Sequence, residues 1–202
     1  KPLRIRETRL SDGSPAYTTN GAPSDCVALA LLAILLQPPD LLVSGINPGA
    51  NMANDILYSG TVTAAMEGVI SGIPSLAVSL DTCEEETDFT YAARFTAGLA
   101  HQVHERGLPP GVLLNINVPS LPPSEIAGVE ITRLGQRLYK DALVKRKDPR
   151  GRSYYWIGGE RPGGVTKEGT DIWALGNRKV SITPIRLDMT DHPMIDELKK
   201  WG

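Results

Sequence analysis

The sequence predicts an α/β fold: a largely parallel sheet with helices on both faces, extended at its C-terminal end by a β-hairpin. Three observations carry this. Short, mostly apolar segments at 40–44, 75–80 and 112–118 read as strands buried on both faces of a parallel sheet, where solvent leaves no polar alternation. Helical stretches at 64–70 and 89–106 separate them. Past Leu121 the alternation of strand and helix gives way to two polar, β-prone runs around Asp148-Pro149-Arg150-Gly151.

Taken in order, Leu3 to Leu10 alternates apolar and polar residues, turns at Ser11-Asp12-Gly13 and resumes at Ala16–Thr19, a hairpin with one exposed face. Pro23 with Ser24 and Asp25 opens a helix that runs to about Leu36, where Pro38-Pro39 stops it. Asp40–Ser44 is a buried strand ending at Gly45. A loop leads to a helix over 64–70, closed by Gly72 with Pro74 beyond, and Ser75–Leu80 is the next strand. The acidic run 81–88 caps the following helix, Phe89 to Arg106, since its carboxylates are crowded rather than spaced as ligands. Val112–Val118 is a strand halted by Pro119, and Val129–Leu134 is one more. Tyr139-Lys140 to Lys147 and Arg152 to Gly158 form a long exposed hairpin. A Gly-rich loop follows over 158–169, then a strand at Val180–Ile185 and a short helix from Asp196 to Trp201. Residues 1–120 form the α/β core, and 121–202 form an extension of the same structural unit.

The chain has 202 residues, 41% hydrophobic and 22% charged, which is ordinary for a globular protein. No apolar run approaches the roughly 18 residues of a membrane span, and Val27 to Leu36 reads as a core helix. A net charge of −2 gives no global attraction to nucleic acid or acidic membrane, so anion recognition has to be local. Cys26 and Cys83 are too few for a disulfide framework and point to a reduced compartment, the cytoplasm by default. The chain opens on Lys1-Pro2-Leu3, without Met, as if in mid-protein.

Chemistry concentrates in residues 43–68, VSGINPGANMANDILYSGTVTAAMEG. Gly45, Asn47, Gly49 and Asn51 follow the carboxyl end of a parallel strand, where open α/β sheets bind ligands. Ser59-Gly60-Thr61 stands at the mouth of the next helix, whose unpaired N–H groups and dipole favour an anion. Ser59 and Thr61 add hydroxyl donors, while Asn47 and Asn51 offer amide donors to phosphate or a carbonyl oxygen to a hard cation. The same residues also suit plain structural work: a hydroxyl caps the helix, the glycines turn the chain and the asparagines tie down the loop. No Gly-Lys-Ser/Thr phosphate loop and no Gly-x-Gly-x-x-Gly fingerprint is present.

The run SGINPGAN (44–51), with DILYSGTV (55–62) and AAMEG (64–68), resembles the central signature of the SurE family of metal-dependent 5′-nucleotidases. NGAPSDCV (20–27), LNINVP (114–119), TRLGQRLY (132–139), YYWIG (154–158), GTD (169–171) and VSITP (180–184) resemble further family segments, in order along nearly the whole chain. The resemblance implies a Rossmann-like fold, hydrolysis of nucleoside 5′-monophosphates with Mg²⁺ or Mn²⁺, and dimers or tetramers interlocked through the C-terminal hairpin. It implies a metal ligand at Asn47 and a phosphate site at Asn51, Ser59, Gly60 and Thr61, with Asp55 orienting the loop or tying it to the helix. The family's other metal ligands, an Asp-Asp pair and a serine, have no counterpart here and are expected upstream of Lys1. The alternative is a nucleotide- or phosphate-binding module impaired in catalysis, because a neutral amide cannot replace carboxylate charge around Mg²⁺.

Other residues carry weaker signals. His101 and His104 share a helix face and read as a solvated stripe. His192 is a possible proton donor to a neighbouring site. Lys145, Arg146, Lys147, Arg150 and Arg152 beside Tyr154, Tyr155 and Trp156 have the composition of a nucleic-acid surface, but a hairpin packed on a partner subunit is the preferred reading.

Overall fold

A computed structural model describes residues 2–84, 86–138, 141–159, 163–164 and 166–201. Its strands are β1 (Ile5–Arg9), β2 (Pro15–Thr19), β3 (Leu42–Pro48), β4 (Ser75–Asp81), β5 (Val112–Pro119), β6 (Val129–Ile131), β7 (Arg137–Leu138), β8 (Asp141–Lys147), β9 (Ser153–Gly159), β10 (Gly163–Gly164) and β11 (Val180–Arg186). Its α-helices are α1 (Pro23–Leu29), α2 (Gly60–Ile70), α3 (Thr90–Arg106), α4 (Asp171–Gly176) and α5 (His192–Leu198).

The central sheet runs β3-β4-β5-β11-β6. β3, β4 and β5 are mutually parallel, β11 is antiparallel to β5, and β6 is parallel to β11. Alternation along the strands divides the core. Leu76, Val78, Leu80, Ile116 and Val118 face α3, whereas Ala77 and Leu113 face α2 with Val62 and Ala65. Leu76 is fully buried, a contribution of about 2 kcal/mol relative to exposure.

At the carboxyl end, the α2 face turns polar: Ser79, Asn115 and Asn117 are fully buried there. Their spacing from Ala77 and Leu113 makes them the next residues on that face.

Several expectations needed correcting. β3 runs through to Pro48 instead of stopping at Gly45, and its residues are half-buried rather than buried on both faces. It is the edge of the described sheet, so only β4 covers its side. The apolar run 27–36 is not a core helix: α1 passes into a π-helical turn over Ala30–Ile34, and Leu32 is 87% exposed. α1 packs along α2 on one side and leaves the other to solvent. The 129–134 strand shortens to β6, because Arg133 leaves the sheet to bridge to Thr170. α4 was not anticipated, although Thr170 caps it by accepting the Trp173 N–H at 3.3 Å. α5 starts earlier than expected because Asp191 caps it, its Oδ1 accepting the Met194 N–H at 3.0 Å, with Pro193 in the first turn.

The N-terminal hairpin pairs Ile5 with Thr19 through Arg9 with Pro15. β8 and β9 form the expected long hairpin, whose turn is held by Asp148 accepting the Arg150 and Arg152 N–H groups at 2.9 Å. Tyr139 and Lys140 lie outside the described residues. Among the described residues, no helix is long and apolar enough to cross a membrane.

The β3–β4 register breaks between Ser44 and Asn47, and there Gly45 adopts φ +129 with its α-carbon against the Val78 carbonyl. A methyl group at Gly45 would collide with that oxygen in a backbone region L-residues avoid. Gly45→Ala is expected to lower unfolding free energy by about 2 kcal/mol or more. Urea denaturation measures it, and a midpoint equal to the parent's contradicts the close approach.

Candidate active site

The strand-to-helix loop sits at the carboxyl end of β3 and is fastened to both neighbouring strands. Gly49 N–H donates to the Leu80 carbonyl at 2.8 Å. Asn47, which pairs with Ser79 across the sheet, donates its amide to the carbonyls of Gly49 (2.8 Å) and Pro48 (3.2 Å). Its Oδ1 accepts no hydrogen bond from the described residues, which leaves one oxygen available to a hard cation. No group of three or more His, Cys, Asp or Glu able to hold a metal occurs among the described residues. Asn47 therefore fits as one ligand, and the carboxylates that such a cation needs are not gathered around it.

Asn51 is drawn down onto the sheet. Its N–H donates to Asn117 Oδ1 at 2.8 Å, and its carbonyl accepts from Asn115 Nδ2 at 2.9 Å and Asn117 Nδ2 at 3.0 Å. Its own Nδ2 donates to Ser79 Oγ at 2.7 Å, so one amide hydrogen is spent locally and one is left over.

After a 3₁₀ turn over Ala53–Leu57, Ser59 caps α2, with Oγ accepting the Val62 N–H at 3.2 Å. The cap uses a lone pair of the hydroxyl and leaves its proton free to donate. The N–H groups of Gly60 and Thr61 take no partner among the described residues, and the Thr61 hydroxyl makes no hydrogen bond there either. The mouth of α2 thus presents two backbone donors, two hydroxyls and the positive end of a helix dipole. Gly60 has a further reason to lack a side chain: a Cβ would stand 2.9 Å from Pro23 Cγ, at the start of α1.

Asp55 forms an ion pair with Arg137 Nε at 3.0 Å, which links the loop before α2 to β7. The second link is Asp171. This fully buried carboxylate accepts the Ala53 N–H through Oδ2 and the Gly135 and Ile172 N–H groups through Oδ1, each at 2.8 Å. Ala53 has a positive φ of 52, and the bond to Asp171 holds it there.

Ser79, Asn115, Asn117 and Asp171 were not singled out by the sequence reading. The available signal was two asparagines at i, i+2 in an otherwise apolar buried strand, which places both on one face.

The other weighed residues lie elsewhere. His101 and His104 are exposed on α3. His192 Nε2 is 2.9 Å from Asp188 Oδ2, on its own exposed segment. Hydrogen bonds from Thr190, then His192, hold the Asp188 carboxyl well below the usual range. The acidic run does not supply the cap of α3: its N-cap is Phe89, without a side-chain capping bond, and Asp88 just before it accepts the Thr90 N–H at 2.8 Å. A cavity of about 610 Å³ opens on the α3 face beside Leu80, Tyr91 and Arg94, and includes none of Asn47, Asn51, Ser59, Gly60 or Thr61.

Fold and site together define an α/β protein in which a helix N-terminus opens at the carboxyl end of the parallel strands. Comparison with known proteins makes this specific. Residues 1–141 match the family described as Survival protein SurE. The chain is 51% identical over 201 residues to the 5′-nucleotidase SurE of Chloroflexus aggregans, covering 99% of this chain and 79% of that protein. It is 53% identical over 202 residues to the 5′-nucleotidase SurE of Moorella thermoacetica, covering 100% and 77%. The crystal structure of the SurE protein from Aquifex aeolicus superposes with a TM-score of 0.81 at 39% identity, covering 100% of this chain and 80% of that one. The chain belongs to the SurE family.

Asp171→Ala would strand three backbone N–H groups in the interior. Unfolding free energy is expected to fall by about 3 kcal/mol, read by equilibrium urea denaturation. A loss under about 1 kcal/mol would mean that water replaces the carboxylate freely.

Proposed function

We propose that this chain hydrolyses the phosphate monoester of nucleoside 5′-monophosphates, releasing nucleoside and inorganic phosphate. The observation that carries the reading is the mouth of α2, where unpartnered N–H groups of Gly60 and Thr61 and the hydroxyls of Ser59 and Thr61 converge. The family's members named 5′-nucleotidase supply the reaction class. The alternative of a binding module without catalysis draws no support from those relatives.

In this reading, Gly60 and Thr61 N–H and the two hydroxyls receive the phosphoryl oxygens, and the remaining amide hydrogen of Asn51 adds a contact from the loop. A water oxygen attacks phosphorus in line, the P–O5′ bond breaks, and a proton ends on the nucleoside hydroxyl. Negative charge on the equatorial oxygens grows in the transition state, so fixed donors and a helix dipole lower the barrier at little reorganisation cost. A divalent cation, Mg²⁺ or Mn²⁺, held in part by Asn47 Oδ1, supplies positive charge against the same oxygens when bound.

The hairpin of β8 and β9 serves self-association into a dimer or tetramer in this proposal. Leu143 is 65% exposed and Tyr155 53%, apolar surface of the kind that a partner subunit covers. Nucleic acid is the weaker partner for it, because Lys145 Nζ already lies over the Tyr155 ring, 5.6 Å from its centroid, where a base would stack.

Phosphate release from AMP, with and without Mn²⁺, tests the function. Asn47→Ala is expected to reduce metal-supported turnover about tenfold or more, and unchanged activity across a metal titration removes Asn47 from the site. Leu143→Lys with Tyr155→Lys is expected to shift the protein to a smaller species by light scattering. An unaltered mass would free the hairpin from that role.

A further inference from the structure

Two buried asparagines in a core strand need a reason. Asn115 and Asn117 are fully buried on the α2 face of β5, one step along from Leu113 and beside Ser79 of β4. Apolar side chains would suit that face, since an amide taken from water gains nothing unless its polar atoms find partners.

Asn117 is satisfied at both ends by one residue, accepting the Asn51 N–H at 2.8 Å and donating to the Asn51 carbonyl at 3.0 Å. Asn115 donates to the same carbonyl at 2.9 Å, yet its Oδ1 is buried with no partner among the described residues. Rotating that amide by half a turn would set oxygen against the Asn51 carbonyl oxygen, so the orientation is fixed by Asn51. Asn115 thus leaves one acceptor unmet in order to hold a carbonyl that Asn117 already serves. Ser79 completes the grip, accepting the Asn51 amide at 2.7 Å.

Asn51 is therefore held by its N–H, its carbonyl and its side chain, all from the sheet beneath. It lies between Asn47, at the tip of β3, and the turn that leads into α2. Neither Asn47 nor the mouth of α2 is itself bonded to the floor formed by Asn115 and Asn117. Asn51 is the residue between them that this floor grips directly.

We propose that Asn115 and Asn117 are positioning residues for phosphate hydrolysis: by fixing Asn51 they set its remaining amide hydrogen on the phosphoryl group received at the N-terminus of α2. This rests on the function proposed above and extends it to residues that touch no substrate.

A purely structural role and a positioning role separate in Asn115→Leu. The substitution removes the unmet acceptor and leaves Asn117 on the Asn51 carbonyl, so the urea midpoint should equal or exceed the parent's. Positioning nevertheless predicts that kcat/KM for AMP falls about tenfold, chiefly in kcat, as expected when reacting groups are misplaced slightly. Inorganic phosphate, titrated by ³¹P NMR without turnover, should bind at least fivefold more weakly. Ser79→Ala, a small change at the other end of the grip, should shift both readouts in the same direction.

Three results overturn the proposal: an Asn115→Leu protein that does not fold, kcat/KM within twofold of the parent, or an activity loss that merely follows the unfolded fraction. A parent that releases no phosphate from AMP refutes the nucleotidase reading instead. The phosphate titration then decides the positioning by itself, and equal affinity in parent and variant refutes it.

Discussion

One buried carboxylate joins the parts of this molecule that have to agree. Asp171 accepts N–H groups from the loop before α2, from the segment leading to the β8–β9 hairpin and from the first turn of α4. A buried carboxylate is tolerated only where its charge is met by donors, and here three backbone N–H groups from different stretches of chain meet it. Without it the loop before α2 would lose its hydrogen bond to α4, and the Gly135 segment one of its ties there. Gly135 is shaped to this contact, since a Cβ there would lie 2.8 Å from the carboxylate.

The Arg137–Asp55 ion pair repeats the connection one layer outward. Both partners are mostly shielded from solvent, so screening weakens the pair less than it would a surface pair. The 3₁₀ turn before α2 is thus fastened to the hairpin's root twice, by Asp171 and by Arg137.

The division of the sheet into two chemical faces explains where the site lies. Against α3 the strands are apolar, and their side chains pack on that helix. Against α2 the last residues of β4 and β5 are Ser79, Asn115 and Asn117, a polar floor that captures the loop above it. The helix that starts from this loop opens its positive end there, a local field that favours negative charge in a chain of net charge −2.

Periodicity and punctuation were enough to find the three parallel strands, α2, α3 and both hairpins, because apolar alternation, proline and glycine act over a few residues. The run from Ser44 to Thr61 stood out as a candidate ligand-binding loop by composition and position, and its order of residues was similar enough to a known signature to name the family. The partners of that loop were not legible in the same way. Asn51 meets Asn115 and Asn117 across separations of 64 and 66 residues, and Ala53 meets Asp171 across 118. Nothing local in LNINVP or GTD encodes such a pairing, since it follows from which strands become neighbours and in what register. The sequence by itself determined which loop carries the amides, hydroxyls and helix start; the tertiary structure decided which distant residues hold that loop still, because hydrogen bonds between distant segments exist only after the sheet has closed.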